Sequence, residues 1–154
     1  MNIFVVDRDP IVAARMLNDK HVVKQTLETT QLLSGAQIMM GREVTYKLTH
    51  KNHPCSQWVR SSRENYIWTW EHGKALCSEY THRYGKVHKC EGYYLTELSG
   101  YDIFPSNGLE EFVQCMPDLY RDLDPVKAYQ DYYNGEKAYF SKWTKRTPPN
   151  WFRP

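Results

Sequence analysis

The sequence lacks a long apolar run, a basic leader and a strong charge of one sign, and each absence excludes a class of protein. No stretch approaches the roughly 20 apolar residues that a membrane-spanning helix needs. Residues 1–7 (Met-Asn-Ile-Phe-Val-Val-Asp) contain a very short apolar run with no basic segment before it, unlike a secretory leader. The net charge is only +2, which argues against nonspecific coating of DNA but allows a local basic patch. We therefore expect a soluble intracellular protein without a membrane partner.

Closely paired cysteines are also missing. The four cysteines are widely spaced and form no CxxC pair: Cys55, Cys77, Cys90 and Cys115. In a chain without a leader, we expect reduced, mostly buried thiols. Two groups combine histidine with cysteine, namely His50, His53 and Cys55, and His82, His88 and Cys90. Their spacings match no common zinc pattern, so the sequence predicts no metal site.

Helical periodicity dominates the chain, whose 154 residues suit one domain large enough to bury a core. The pattern predicts four main helices, at about 10–34, 54–84, 87–98 and 125–143. Two of them begin at Asp-Pro pairs, and Gly35 and Gly85 are placed to end the first two. Residues 3–6 are predicted to be a short strand or an anchor, 44–48 a short extended piece, and 99–116 a loop. The predicted fold is a compact all-α single domain over residues 1–154.

The first predicted helix carries a polar strip. Its apolar face is expected to contain Val12, Met16, Val23, Leu27, Thr30 and Leu33. Opposite that face, within a sector of about 100°, lie His21, Lys24, Gln25 and Glu28. Such a strip can bind phosphate and transfer protons. The alternative is a solvated surface with a Lys24–Glu28 ion pair, which the spacing alone favours.

Aromatic and basic residues cluster towards the C-terminal half of the chain. There are 12 Tyr and 5 Trp, and rings of this kind pack in cores or stack on bases. Residues 82–89 combine Arg, Lys and His in one turn, which suits either solvation or contact with a nucleic-acid backbone. Residues 142–154 contain four basic residues and no acid. His53 precedes Pro54 at a predicted helix start, a position that favours anions.

The segment from Asp19-Lys20-His21 through Glu28 to Gly35 resembles the first helix of the pyrimidine-dimer DNA glycosylases, the phage endonuclease V type. In that family an Asp-x-His motif is followed by a glutamate seven residues after the histidine. His53-Pro54 and the segment 83–86 are similar to further family segments. The aromatic segment 129–137 resembles the family's Tyr-Tyr-Gly-Lys terminus, with two extra residues. Together these pieces are scattered over about two thirds of the chain.

The resemblance implies an all-α DNA-repair enzyme that needs no cofactor and excises damaged pyrimidines from duplex DNA in a phage or bacterial setting. An N-terminal amine attacks the sugar C1′ and forms a Schiff base, a glutamate stabilises it, and β-elimination cleaves the strand. The implied catalytic residues are Met1, Glu28 and His21, the last to position DNA or assist proton transfer. The implied contacts to DNA are Lys24, His53, Arg83, Lys86, Tyr132, Tyr133, Lys145 and Arg146. The implied location is the cytoplasm of a bacterium or an infected host cell.

The sequence departs from the family pattern in two places, which keeps alternatives open. Residue 2 is Asn, whereas the family loses its initiator Met before a small residue, and Leu27 and Gln31 stand where the family has arginines. Lys24 or Lys20 is then an alternative nucleophile if its surroundings lower the proton affinity of the amine. Two other functions remain: an enzyme of the same fold acting on a modified nucleotide, nucleobase or RNA, and a non-catalytic module binding nucleic acid or protein.

Overall fold

The chain folds into five α-helices and contains no β-strand. The computed structural model describes all 154 residues. The helices are α1 (Pro10–Met16), α2 (Asp19–Met39), α3 (Pro54–Ser61), α4 (Arg63–Tyr84) and α5 (Pro125–Tyr132). The predicted all-α class is therefore confirmed. None of these helices has the length and apolar character required to cross a membrane.

The first predicted helix is two helices, which corrects the expected range 10–34. The chain turns into extended backbone at Leu17 and Asn18, and the Asn18 side chain accepts a hydrogen bond from the backbone N–H of His21 at 2.8 Å. Asparagine favours this capping geometry over the helix interior, so α2 begins afresh at Asp19. The expected stop at Gly35 is also wrong, because Gly35 lies inside α2 and leaves space for Leu48.

The second predicted helix begins and ends where expected but is interrupted at Ser62. The Ser62 hydroxyl accepts from the backbone N–H of Asn65 at 3.0 Å and caps α4. Gly85 adopts the left-handed conformation, with φ 68°, and ends α4. Gly73 lies within the unbroken helix α4 and makes room for the buried Tyr94 ring, which a Cβ at this position would overlap.

The two remaining predicted helices are shorter than expected or absent. Residues 87–98 form turns and a single 3₁₀ turn, Glu91–Tyr93, because Tyr94 and Leu98 are drawn into the core. Helix α5 ends at Tyr132 and continues as a π turn (Tyr133–Lys137) and a 3₁₀ turn (Ala138–Phe140). The extended piece expected at 44–48 forms no strand, and 99–116 is the loop that was predicted.

The N-terminal segment is an anchor rather than a strand. Residues 3–6 are at most 5% exposed and run through the core without pairing with another strand. Helix α4 packs against both α1 and α2. Phe4 stacks on His21 of α2, with ring centroids 4.4 Å apart. Burial of this segment therefore brings the first residue of the chain alongside α2.

Candidate active site

The α-amine of Met1 lies beside the carboxylate of Glu28. The Met1 nitrogen is 3.6 Å from Glu28 Oε1, and the two side chains are only 3% and 15% exposed. Met1 as a whole residue is nevertheless partly exposed, so its exposed part is main chain. The core thus holds the methionine side chain and leaves the amine end of the residue at the surface. This arrangement places a potential nucleophile next to a potential general base or electrostatic stabiliser.

A neighbouring glutamine orients the Glu28 carboxylate. Gln25, one turn earlier on α2, is buried and donates a hydrogen bond from Nε2 to Glu28 Oε2 at 2.8 Å. Lys24 is exposed and forms no ion pair with Glu28. The interpretation of the strip as a solvated surface is therefore wrong. The predicted apolar face is also partly wrong, since Val23 is 43% exposed while His21 and Gln25 are buried.

Asn2 fixes the position of the N-terminal segment. Its Nδ2 donates to the carbonyl of Cys115 at 2.8 Å, and its Oδ1 accepts from the Tyr129 hydroxyl at 2.9 Å. Sequence reasoning missed Asn2 and Tyr129 as supporting residues, because their partners are more than 100 positions away along the chain. Asn2 therefore secures the backbone immediately after the amine, and a smaller side chain could not reach both partners.

His21 is a neutral, buried member of the site. Its Nδ1 is 2.8 Å from the Tyr133 hydroxyl, which also accepts from the backbone N–H of Asn18. Burial, together with the charges of Lys137 and Lys24, lowers the pKa of His21 to about 3. A neutral imidazole cannot attract phosphate by charge at neutral pH. Through the stack with Phe4, His21 instead supports the segment that carries Met1.

Two residues expected to bind DNA are buried, which corrects those predictions. The Arg83 side chain is 0% exposed, pairs with Glu79 and Asp19 at 2.9 and 3.1 Å, and donates to two carbonyl groups at the end of α1. Arg83 therefore joins α1, α2 and α4 and is not available to phosphates. Tyr133 is also fully buried, with its hydroxyl directed at His21, so it does not present its ring to DNA.

The remaining predicted contacts differ in accessibility. Lys86 and Lys145 are exposed. Arg146 is partly exposed, and its guanidinium donates two hydrogen bonds to Glu79 at 2.9 and 2.7 Å. Tyr132 is partly buried beneath Lys137, whose Nζ lies 5.0 Å from the ring centroid. Of these four side chains, those of Lys86 and Lys145 are therefore accessible for contact with phosphates.

Three lysines surround the His21 end of the site. Lys24 and Lys137 both lower the pKa of His21 through their charges, which requires them to lie near its ring. Lys20 Nζ lies 5.2 Å from the centroid of Phe140, a ring that also contacts His21. We call Lys20, Lys24 and Lys137 the lysine rim. Lys137 was missed as a contact, although it ends the aromatic motif that carries the resemblance.

His53 lies near the amine together with two thiols. It caps α3 by accepting, at Nδ1, from the backbone N–H of Cys55 at 3.0 Å. Burial and then the charge of the N-terminal amine lower the pKa of His53. The Cys55 and Cys115 sulfurs are 3.7 Å apart and unbonded. All four cysteines are free and three are buried, as predicted.

The two thiols differ in acidity. Hydrogen bonding to Cys115 and burial raise the pKa of Cys55. Hydrogen bonding from Cys55 lowers the pKa of Cys115 to about 7, with further contributions from Arg121 and the N-terminal amine. The charge of the amine contributes to the pKa shifts of His53, Cys55 and Cys115, so all three residues lie close to Met1.

Comparison with protein-family models identifies a similarity over more than half of the chain. A family model described as pyrimidine dimer DNA glycosylase matches residues 1–91. The matched part contains Met1, His21, Glu28 and His53, and ends before the aromatic C-terminal segment. No curated protein and no solved structure matches the chain significantly.

Proposed function

Because the chain belongs to the pyrimidine dimer DNA glycosylase family, we propose that it excises damaged pyrimidines with the α-amine of Met1 as nucleophile and Glu28 as catalytic carboxylate. The observation that supports these roles is the 3.6 Å distance between the Met1 nitrogen and Glu28 Oε1. No lysine in the chain is paired with this carboxylate. The terminal amine is therefore better placed for attack than Lys24 or Lys20.

The proposed reaction begins when Glu28 accepts a proton from the Met1 ammonium group. The neutral amine attacks C1′ of the damaged nucleotide, and the bond from C1′ to the base breaks with its electron pair on the departing base. Glu28 returns its proton to the departing base, and the attached amine passes a proton to the ring oxygen as the sugar opens. The resulting cationic imine is stabilised by the charge of the regenerated Glu28 carboxylate. Removal of a proton from C2′ then expels the 3′ phosphate by β-elimination, and water hydrolyses the imine to release the enzyme.

The lysine rim provides the charge that the missing arginines do not. Lys20 and Lys24 project from the helix that carries Glu28, and Lys137, at the end of the π turn that follows α5, lies near the His21 ring. Ammonium groups at these places can contact phosphates on either side of a damaged nucleotide. The low net charge of the chain is then compatible with DNA binding, because a local group of positive charges beside the site is sufficient to attract phosphates.

His21 is proposed as a positioning residue rather than a proton donor. Its low pKa leaves the ring uncharged at neutral pH, and its contacts are with Phe4 and Tyr133. We therefore expect replacement of His21 to weaken catalysis by loosening the N-terminal segment. Tyr132, which retains some exposure, stays a predicted support for distorted DNA.

Borohydride trapping on two labelled duplexes tests the proposal. One duplex carries a thymine dimer and the other an abasic site. Wild-type protein should form a covalent adduct with both, and extension of the N-terminus by Gly-Ser should abolish the adduct, because the amine is moved away from Glu28. The same two residues added after Pro154 are the control and should leave trapping intact.

Two results would contradict the proposal in different ways. An adduct that persists after N-terminal extension would move the nucleophile to a lysine, with Lys24→Met tested first. If folded wild-type protein forms no adduct with either duplex, Schiff-base chemistry on these substrates is excluded. Modified nucleotides and RNA then become the substrates to examine.

A further inference from the structure

Folding brings three potential metal ligands together at a place the cysteine spacing did not predict. One ligand atom from each of His53, Cys55 and Cys115 lies within 4.8 Å of the other two. Cys115 reaches the cluster from a loop 60 positions further along the chain. Imidazole and thiolate together form a donor set that favours thiophilic divalent ions.

The sulfur separation matches the requirement of such an ion. In a tetrahedral site with metal–sulfur bonds of about 2.3 Å, two thiolates stand about 3.8 Å apart. The Cys55 and Cys115 sulfurs are separated by 3.7 Å. A disulfide between them would require an approach of about 1.7 Å, whereas a metal ion requires almost no change in this distance.

We propose that His53, Cys55 and Cys115 bind one divalent metal ion of the Zn²⁺ class, with a fourth position directed to the N-terminal segment. Asn2 Oδ1 lies 3.9 Å from Cys55 Sγ on that side, so the fourth ligand is this oxygen or a water molecule. Binding releases the two thiol protons, and the ion then carries two thiolates and one neutral imidazole. A surface cleft bordered by Pro54, Cys115 and Arg121 provides a path for the ion.

Coordination by His53 replaces an existing hydrogen bond. A neutral imidazole has one free lone pair, and His53 Nδ1 now uses it to accept from the Cys55 N–H. Binding of the metal at either ring nitrogen ends that interaction, because the other nitrogen must then carry the proton. The freed backbone N–H lies beside the Cys55 thiolate, which is a hydrogen-bond acceptor.

The proposed site would connect three parts of the chain around the amine. His53 and Cys55 belong to the start of α3, while Cys115 belongs to the loop whose carbonyl holds Asn2. A bound ion would therefore fix the support of the N-terminal segment. This site is independent of the glycosylase proposal, since metal binding requires none of the catalytic steps.

Cobalt titration of reduced protein tests the site without an activity assay. After removal of metal with a chelator in the presence of a phosphine reductant, Co²⁺ is added and the thiolate-to-cobalt absorption is followed. Wild-type protein should bind one equivalent, Zn²⁺ should displace it, and affinity should fall as the pH is lowered. Cys55→Ser and Cys115→Ser should each weaken binding by about 100-fold or more.

Cys90→Ser is the matched control, because Cys90 is also buried but its thiol contacts Tyr46 instead. This variant should bind cobalt as the wild type does. If Cys55→Ser fails to fold, the site is still tested by Cys115→Ser, at a half-buried position, and by His53→Ala. The proposal is overturned if folded, reduced wild-type protein shows no thiolate-to-cobalt band, or if Cys115→Ser binds as tightly as the wild type. The proposal is also overturned if mass spectrometry shows a disulfide in the purified protein, as a loss of two hydrogen masses, and the protein still binds no metal after reduction.

Discussion

Replacing Glu28 by glutamine removes the negative charge beside the Met1 amine and changes little else. The two side chains have nearly the same shape, and a glutamine oxygen can still accept the hydrogen bond that Gln25 donates at 2.8 Å. The fold should therefore survive. What disappears is the carboxylate that accepts the proton of the ammonium group and stabilises the cationic imine in the proposed reaction.

The size of the effect follows from the distance between the charges. Two unit charges 3.6 Å apart attract by about 1 kcal/mol at the dielectric constant of water and by about 5 kcal/mol at an effective value of about 20. The Glu28 side chain is only 15% exposed whereas the main chain of Met1 is accessible, so the attraction lies between these two limits. Loss of one electrostatic stabiliser of a transition state commonly slows catalysis by about 10² to 10³, which corresponds to about 3–4 kcal/mol. We expect Glu28→Gln to slow cleavage of the glycosidic bond by that factor.

Single-turnover cleavage of the glycosidic bond in a thymine-dimer duplex, read as alkali-labile strand scission, measures the effect, and circular dichroism verifies the fold. Glu43→Gln is the matched control, since Glu43 is exposed and forms no ion pair. It should retain wild-type turnover. Wild-type turnover by folded Glu28→Gln would refute the assignment of Glu28, and with it the catalytic meaning of the short distance to Met1.

Three further predictions concern the support of the site. Arg83→Met should lower the free energy of unfolding by about 2–4 kcal/mol, because buried Glu79 keeps only Arg146 as its partner and two carbonyl groups at the end of α1 lose their donor. Lys86→Met should not lower it, and chemical denaturation that shows equal stabilities would disprove the buried role. Gly73→Ala should destabilise by about 1–3 kcal/mol through overlap with a buried ring, and calorimetry showing a gain would contradict this. The pKa of His21 is about 3 in the folded protein and 6.5 in the unfolded chain. The contribution of the neutral His21 to stability is therefore complete above about pH 6.5 and is lost as the pH falls towards 3. Over this range the free energy of unfolding should fall by at most about 1.4 kcal/mol per pH unit. The melting temperature should depend less on pH in His21→Gln than in the wild type, whereas exposed His82→Gln should behave as the wild type does. If His21→Gln shows the wild-type pH dependence, the lowered pKa of His21 is wrong.

Helix starts were predictable because capping is a local interaction. Asp9 accepts from the N–H groups of Ile11 and Val12, and Asp124 accepts from that of Val126. Each cap is followed by a proline whose backbone already suits the first helical turn. The breaks at Asn18 and Ser62 were missed, although both are capping residues. Apolar periodicity continues across them, so only the packing of the flanking helices decides that the chain turns there.

The candidate site was predictable in part. The spacing of His21 and Glu28 and their resemblance to a known helix placed both residues in the site, and the family match supports that resemblance. Arg83 was misassigned because an arginine at a helix end is usually exposed. Its partner Asp19 is 64 positions away, so the sequence contains no local sign that this guanidinium is buried.

By itself the sequence determined the helical class, the family, the helix starts at the two Asp-Pro pairs and the helix end at Gly85, because these depend on neighbours along the chain. Only the tertiary structure decided that the Met1 amine meets Glu28 and that Cys115 joins His53 and Cys55. These contacts depend on burial of residues 3–6 and on the path of a long loop. Such burial is a property of the whole core, because each apolar segment is placed by all the others that pack against it.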